Sequence, residues 1–313
     1  MKRWHADLIL LTVAMIWGSA FAVQRVAGRW MDPFTFNGLR FLLGGLLLLP
    51  LTRVFKRNQL ESQSPKSAQN KAWLAYVPLA GLLLFSAGGL QQAGLETTTA
   101  GNAGFITSLY VVLVPLLLAI FWRQKVRWTV WAAACIAVLG SLLLSTGGSL
   151  KLTTGDALEL IGAVLWAAHV ILVGKAMQRL DVITFSAGQY LVAGGLNLAV
   201  SLLTRQPWAG ISAAWWTVIY IGLLSTAIGY TLQVLGQRIA PAADAAILLS
   251  TESVFAVLTG YIFLAEGLQP VQLLGCGLIL LAILLAQIRV GNKSKNVTKE
   301  SNNEDTHRVA QGS

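Results

Sequence analysis

Ionisable side chains lie inside strongly apolar stretches of this chain, where a charge surrounded by hydrocarbon would be costly. They include Arg40, His169, Asp244 and Glu252. A charged group at the centre of a bilayer costs roughly 2.5 to 3.5 kcal/mol on insertion scales, so each position is a candidate for function if its stretch crosses a membrane. Together these residue types could carry a proton, bind an amine or bind an anion.

Glu252 lies near the middle of its apolar stretch, and Asp244 precedes it at helical spacing on the same stripe. A carboxylate at this depth could exchange protons or bind the amine of a ligand. It could equally join helices through a neighbouring Ser or Arg. Asp244 lies nearer the end of the stretch, where it could be hydrated or cap the helix that follows Pro241.

Arg40 and His169 each allow a functional and a structural interpretation. Arg40 could pair with a buried carboxylate, attract an anionic ligand or extend its guanidinium toward the membrane surface. One helical turn separates His169 from Trp166, so its imidazole could face a cavity beside that ring and relay protons. It could also be an ordinary buried residue that forms a hydrogen bond.

The composition indicates a membrane protein. Hydrophobic residues make up 55% of the 313 residues and charged residues only 12%, with a mean hydropathy of +0.65, which is too apolar for an ordinary soluble domain. A helix of roughly 20 mostly apolar residues crosses the hydrocarbon. Ten such helices are predicted, near 6–24, 34–52, 73–92, 99–121, 128–146, 156–174, 184–203, 214–235, 241–264 and 270–289.

Basic residues predict the orientation, since short cytoplasmic loops hold an excess of Lys and Arg. With both termini in the cytoplasm, most of the 23 Lys and Arg residues fall on the cytoplasmic side, whereas the outer loops hold Arg25, Arg29, Lys151 and Arg205. This distribution explains the net charge of +10 without a nucleic-acid partner. The predicted location is the inner membrane.

The chain also contains an internal repeat. A shift of 149 positions aligns 7–49 with 156–198, and a shift of 142 positions aligns the later helices. We therefore predict an all-α membrane protein of two five-helix repeats, 6–146 and 156–290, followed by a disordered cytoplasmic tail at 291–313. The start of the chain resembles a secretory signal, but it has a counterpart in the second half, so we expect it to be retained.

The repeat pairs side chains that could line a shared site. The pairs are Trp17 with Trp166, Gln91 with Gln233, Asn102 with Asp244 and Tyr110 with Glu252. The two tryptophans could form aromatic walls around a planar or cationic ligand, or could simply pack the halves together. The two glutamines could be gate residues or could contact loop backbone. Asn102 and Tyr110 would present polar atoms toward the axis that Glu252 faces.

Because each repeat has an odd number of spans, the second repeat must enter the membrane from the opposite side. Inverted repeats are typical of secondary transporters, in which equivalent halves exchange conformations around a midplane site. Channels and some membrane enzymes also contain repeats, so both stay open as alternatives. The sequence has no GxxxxGK[ST] motif, and ATP is therefore not indicated as the energy source.

Several segments carry a family resemblance. They are AMIWGSAFAVQRV, DPFTFNGLRFLLGGLLLLP, AGNAGFITSLYVVLVPLLL and LLSTESVFAVLTGYIFLAEGLQPVQLLGCGLILLAILLA. From residue 6 to about 290 the chain resembles the EamA-type branch of the drug/metabolite transporter superfamily. The resemblance implies a ten-helix fold with a central cavity between the halves and, in many relatives, export of metabolites, amino acids or drugs.

The resemblance bears on two further positions. Relatives often have Arg where this chain has Arg40, which favours a structural ion pair for that residue. The second half has the family's usual loop glutamate at Glu266, within Ala265-Glu266-Gly267, where the first half has Trp122-Arg123-Gln124. We expect that difference to leave transport unchanged.

The sequence thus predicts a secondary transporter that exports a small metabolite, amino acid or drug-like compound, with the lipid bilayer as its solvent and protons as the candidate coupling ion. The alternatives are a membrane-embedded enzyme acting on a lipid-linked substrate, and a channel or regulatory membrane protein. No catalytic residue and no cofactor is predicted. Cys135 and Cys276 fall inside apolar runs and offer no metal site.

Overall fold

The computed structural model describes residues 3–58, 66–146, 153–265 and 269–287. Within these ranges the regular secondary structure is helical throughout. The helices are α1 Arg3–Ala27, α2 Pro33–Asn58, α3 Lys66–Gly94, α4 Ala100–Ser108, α5 Tyr110–Trp122, α6 Trp128–Thr146, α7 Thr154–Ala176, α8 Val182–Leu203, α9 Ile211–Tyr220, a π-helical segment Ile221–Tyr230, α10 Thr231–Gln237, α11 Ala242–Leu249, α12 Glu252–Leu264 and α13 Pro270–Gln287.

Large apolar side chains cover much of the outside of these helices. Leu74 is 66% exposed and Phe263 is 73% exposed, for example, whereas soluble monomers rarely expose large contiguous apolar patches. Within the described residues, eight helical runs are long and apolar enough to cross a membrane. Trp128–Leu143 and Pro270–Ala286 are shorter apolar helices. The chain therefore folds as a helical membrane protein with a surface suited to lipid.

Every predicted span coincides with a helix or a broken helix, but the helices of the second and third predicted spans, 34–52 and 73–92, extend further into the connection between them than predicted. α2 continues to Asn58, and α3 begins at Lys66. Lys, Arg, Gln and Ala in these flanks are good helix formers, so a helix can extend beyond its apolar part. The predicted tail at 291–313 and Glu266 lie outside the described residues.

The fourth and ninth predicted spans are each interrupted near the middle. α4 and α5 meet at Leu109, and Ser250 and Thr251 separate α11 from α12. At both breaks Ser hydroxyls donate to carbonyls three residues earlier, as Ser250 Oγ does at 2.7 Å. Such bonds compete with helical hydrogen bonds and bend helices. Tyr110 and Glu252 are consequently the first residues of α5 and α12.

The eighth predicted span is irregular for a different reason, because the π-helical segment lies between α9 and α10. Trp17 Nε1 donates to the Ser225 carbonyl of this segment at 3.2 Å. Gly229 leaves room for the indole, since a Cβ there would lie 2.8 Å from Trp17 Nε1. π-helical turns inside α-helices are frequent at functional sites.

Helices from the first half of the chain pack against helices from the second half. α2 lies along α8, α3 along α7 and α8, α1 along α12, and α6 along α13. Gly18 permits the close approach of α1 to α12, because a Cβ there would lie 2.5 Å from the Glu252 carbonyl oxygen and 2.9 Å from the Ala256 nitrogen. The seam between these helices contains most of the predicted site residues.

Candidate functional site

A small buried cavity lies in this seam, and we call it the central cavity. Its free volume of about 30 Å³ has room for about one or two water molecules. Seven of the ten predicted site residues line it, whereas Asn102, His169 and Asp244 do not. The complete lining is Trp17, Ala20, Phe21, Gln24, Arg40, Gln91, Thr107, Tyr110, Trp166, Val170, Ser225, Tyr230, Gln233 and Glu252.

Glu252 and Tyr110 meet in the central cavity. Each residue is 2% exposed, and the Tyr110 hydroxyl donates to Glu252 Oε1 at 2.9 Å. A hydrogen bond to an ionised carboxylate is stronger than one between neutral groups, so this contact stabilises a charge at Glu252. Among the described residues, no Lys or Arg nitrogen lies within ion-pair distance of Glu252.

Arg40 also lines the central cavity, and its surroundings differ from the expected ion pair. Its Nε donates to Asn37 Oδ1 at 2.7 Å, and its guanidinium carbon lies 4.6 Å from the centre of the Phe41 ring. No carboxylate in the described part of the chain is within ion-pair distance. Arg40 is only 1% exposed, so it does not reach the membrane surface either. The predicted structural ion pair is therefore wrong.

Three aromatic rings form one face of the central cavity. The Tyr230 ring centre lies 4.6 Å from that of Trp17 and 5.9 Å from that of Trp166. Tyr230 thus joins the two tryptophans that the repeat pairs. Tyr230 is not among the predicted site residues, although a tyrosine after Gly229 inside an apolar stretch was a visible signal.

The two paired glutamines line the cavity from different helices, α3 and α10. Gln91 Nε2 donates to Thr107 Oγ1 at 3.4 Å. Gln233 is 1% exposed, and neither its Nε2 nor its Oε1 has a hydrogen-bond partner among the residues that the structure describes. A buried amide normally finds partners, so Gln233 is available to a ligand or to water in the cavity.

Glu159 is a second buried carboxylate, which the sequence analysis missed. Thr107 Oγ1 donates to Glu159 Oε2 at 3.1 Å, and Glu159 Oε1 is buried without a partner in the described ranges. Thr107 lines the cavity, so hydrogen bonds run from Gln91 through Thr107 to Glu159. The rule that selected Glu252, an ionisable residue inside an apolar span, would also have selected Glu159.

His169 lies behind the aromatic face and not in the cavity lining. Its Nε2 is 2.9 Å from Gln189 Oε1, and its ring meets that of Trp166 edge-on with centres 6.0 Å apart. This is the packed, hydrogen-bonded position of the structural interpretation. Within the described ranges, no three His, Cys, Asp or Glu side chains gather as they would around a metal ion.

Asp244 lies in a second, larger cavity of about 790 Å³, which we call the basic cavity because Arg3, Lys125, Arg127 and other basic residues line it. The Asp244 carboxylate accepts from Arg3 Nη2 at 3.0 Å and from Arg127 Nη2 at 2.7 Å. Asp244 and Glu252 therefore do not share a site. The repeat counterpart Asn102 is in the first turn of α4, where its backbone N–H donates to Thr99 Oγ1.

The sequence profile of the EamA-like transporter family matches residues 4–146 and 153–287. The chain belongs to the EamA-like transporter family. The predicted resemblance is confirmed, and the protein is a membrane transporter with a small-molecule substrate.

Several relatives agree with this assignment. An uncharacterized transporter of Archaeoglobus fulgidus is 31% identical over 290 residues, 93% of this chain and 88% of that protein. The uncharacterized inner membrane transporter YedA of Escherichia coli K12 is 26% identical, covering 89% of each chain. The threonine/homoserine exporter RhtA of the same strain is 32% identical over 186 residues, 58% of this chain and 61% of that protein.

A solved crystal structure shares the fold, with a TM-score of 0.73 at 19% identity, over 91% of this chain and 97% of the other. With apolar helices covering its surface, this EamA-like transporter is a multi-pass protein of the inner membrane.

Proposed function

We propose that this transporter is a secondary exporter that moves a small metabolite, amino acid or drug-like compound through the central cavity. The observation that carries the proposal is the cavity itself, which both halves line and which contains the buried carboxylate Glu252. Substrate sites of secondary transporters lie at the interface of two repeats and are often built from broken helices. Tyr110 and Glu252 begin the second parts of two such helices.

We propose ten spans arranged as two inverted repeats, 6–146 and 156–290, with both termini in the cytoplasm. Packing supports the repeat, because the contact of α1 with α12 has a counterpart in that of α7 with α4 and α5. Arg123 and Ala265, which are 142 positions apart, end α5 and α12 with left-handed φ values of 50° and 55°. The excess of Lys and Arg on one side supports the orientation.

Glu252 is the proposed coupling group. Inside a low-dielectric cavity a carboxylate is favoured when a proton or a bound cation neutralises it. If a proton and the substrate compete for Glu252, binding of one releases the other. Movement of substrate out of the cell is then coupled to movement of protons into it. Export is the proposed direction because the relative RhtA is named an exporter.

The test begins by comparing secreted metabolites between cells that overexpress the chain and cells that lack it. The compound that differs is then followed in vesicles with and without an imposed pH gradient, for the wild type, Glu252→Gln and the control Glu96→Gln. Glu96 is an exposed residue outside the cavity. We expect Glu252→Gln to reach the membrane normally and to lose acceleration by the pH gradient, whereas Glu96→Gln keeps it.

Two outcomes would count against the proposal. Vesicles that contain the chain but show no saturable flux of any secreted metabolite would favour a channel or regulatory role. An unchanged response of Glu252→Gln to the pH gradient would remove Glu252 from the coupling step while leaving the exporter assignment in place.

A further inference from the structure

The central cavity contains two residues that carry opposite charges when ionised and that are not paired with each other. Arg40 and Glu252 both line it, and both are almost completely buried, at 1% and 2% exposed. No ion pair joins them in the described part of the chain. Leaving one buried charge without its partner costs several kcal/mol in proteins, so a ligand or, at Glu252, a proton must compensate.

The guanidinium of Arg40 retains most of its hydrogen-bonding capacity. It carries five N–H donors, and within the described part of the chain only the Nε donor has a hydrogen-bond partner, Asn37 Oδ1. Its Nη2 is buried without a partner. A planar fork with free donors matches the two oxygens of a carboxylate, which it can bind through parallel hydrogen bonds.

Neighbouring groups hold this fork in a fixed orientation. Asn37 accepts from Nε, and its own Nδ2 donates to the Gly88 carbonyl at 2.9 Å. The rings of Phe36 and Phe41 lie 5.6 and 4.6 Å from the guanidinium carbon. A group fixed in this way loses little freedom when a ligand binds. Arg40 is therefore built as a receptor for an anionic group.

The surroundings of Glu252 suit a cation instead. Tyr110 donates to Oε1, and among the described residues no Lys or Arg nitrogen lies within ion-pair distance of the carboxylate. The aromatic rings of Trp17, Trp166 and Tyr230 line the same cavity. Aromatic faces attract an ammonium group at distances up to about 6 Å, so carboxylate and rings together favour a protonated amine.

We propose that the central cavity recognises a small zwitterion, a molecule with one carboxylate and one protonated amine, as amino acids have. Arg40 binds the carboxylate and Glu252 binds the amine. The inference rests on the proposed function, because the cavity of about 30 Å³ admits such a molecule only after the two halves have moved apart. The closed structure keeps both receptors in place and holds no room for the ligand.

The two halves differ at the Arg40 position, which fixes the orientation of the ligand. The repeat places Gln189 where the first half has Arg40, and Gln189 Oε1 is engaged by His169. A single anion receptor faces a single carboxylate, so a zwitterion has one favourable orientation in the cavity. The same comparison shows that a glutamine is accommodated at the equivalent place, which makes Arg40→Gln a suitable variant.

The experiment measures binding to the purified full chain in nanodiscs. The probes are the proteinogenic amino acids, each beside its carboxamide, which lacks the carboxylate, and its N-acetyl derivative, which lacks the charged amine. We expect at least one amino acid to bind and both of its derivatives to bind at least about tenfold more weakly, as loss of a charged hydrogen bond predicts. This comparison needs no substitution and does not depend on a variant folding.

Variants then assign each charge to its receptor. Arg40→Gln should weaken binding of the amino acid at least about tenfold, whereas the exposed control Arg29→Gln should bind it with the affinity of the wild type. In Glu252→Gln the amino acid and its N-acetyl derivative should bind equally, because the receptor for the amine has gone. Absence of binding by any amino acid, or a derivative that binds as well as its parent, would overturn the proposal.

Flux measurements separate this inference from the proposed function. Saturable export of a compound that lacks a carboxylate or an amine would disprove the zwitterion site and leave the exporter proposal standing. Binding with the expected pattern but no flux of the bound amino acid would disprove export and leave the site standing.

Discussion

The Tyr110 hydroxyl donates a 2.9 Å hydrogen bond to Glu252 Oε1, and the two residues occupy equivalent points of the predicted repeat, 142 positions apart. Each is the first residue after a break in its span. The bond therefore joins the two halves inside the central cavity. Any movement of one half against the other changes this contact, so it links the conformation of the transporter to the charge on Glu252.

Tyr110→Phe tests that link, because it removes the hydroxyl and keeps the ring. A hydrogen bond to a charged group contributes about 1.5 to 3 kcal/mol, so we expect at least about a tenfold loss of transport rate in vesicles. Expression and thermal stability should change little, since the phenyl ring fills the same space.

The double variant Tyr110→Phe with Glu252→Gln shows whether the hydroxyl acts through the carboxylate. If it does, the two losses will not add, and the double variant will transport as slowly as Glu252→Gln alone. Additive losses would mean that Tyr110 contributes by another route, such as direct contact with the substrate.

Thr107 provides a prediction about stability. Its hydroxyl donates to Glu159 Oε2 and accepts from Gln91, so Thr107→Val would leave a buried carboxylate without a donor. Such a loss costs about 1 to 3 kcal/mol or more for a charged group, and we expect a lower unfolding temperature. Thr107→Ser keeps a hydroxyl and should unfold near the wild type.

Replacing the Glu159 carboxylate should restore much of the stability that Thr107→Val loses. Glu159→Gln replaces the carboxylate by a neutral amide. Thr107→Val should therefore lower the unfolding temperature clearly less in the Glu159→Gln background than in the wild type. The check is a thermal unfolding scan of the four proteins in one detergent. An equal cost in both backgrounds would show that Thr107 stabilises the fold through packing and not through Glu159.

Most of the helices and seven residues that line the central cavity could be predicted from the sequence for a physical reason. Hydropathy fixes which segments enter the bilayer, and the repeat relates equivalent positions, which together were enough to place Trp17, Tyr110 and Glu252 in one cavity. Side-chain partners that depend on packing between distant helices could not be predicted from the sequence. Asn37 lies one helical turn before Arg40, so its contact with Nε follows from helical spacing, but the lack of a carboxylate near Arg40 among the described residues depends on other helices.

The breaks within the spans were also hidden from hydropathy, since Ser and Thr barely change an average over twenty residues. The expected continuous stripe from Asp244 to Glu252 crosses the break at Ser250 and Thr251, and Asp244 is engaged in the basic cavity. The hydroxyl-rich segment LLSTES was the available signal.

Asp244 allows a prediction about how salt concentration changes thermal stability. It pairs with Arg3 and Arg127, and these side chains are partly exposed, so the pairs together contribute about 1 kcal/mol after solvent screening. Asp244→Asn should unfold at a slightly lower temperature in dilute buffer. At about 1 M salt, where exposed charges are screened, the wild type and Asp244→Asn should unfold alike. A difference that persists at high salt would contradict the ionic explanation.

Gly18→Ala and Gly195→Ala form a matched pair of variants. A Cβ on Gly18 would overlap Phe255 and the Glu252 carbonyl, whereas a Cβ on Gly195 would meet no atom within 4 Å. Backbone atoms of α12 cannot move aside as a flexible side chain could, so Gly18→Ala must push α1 away from the helix that carries Glu252. We expect at least about a tenfold loss of transport, since a misplacement of about 1 Å costs enzymes up to about a hundredfold in rate.

Gly195→Ala should transport like the wild type and unfold at an equal or higher temperature, because Ala is favoured over Gly in helices by about 1 kcal/mol. Vesicle flux and thermal unfolding of both variants check the pair. Normal transport by Gly18→Ala would mean that α1 and α12 stand further apart in the working states than in this closed one, and that Glu252 does not need this contact to keep its place beside Tyr110.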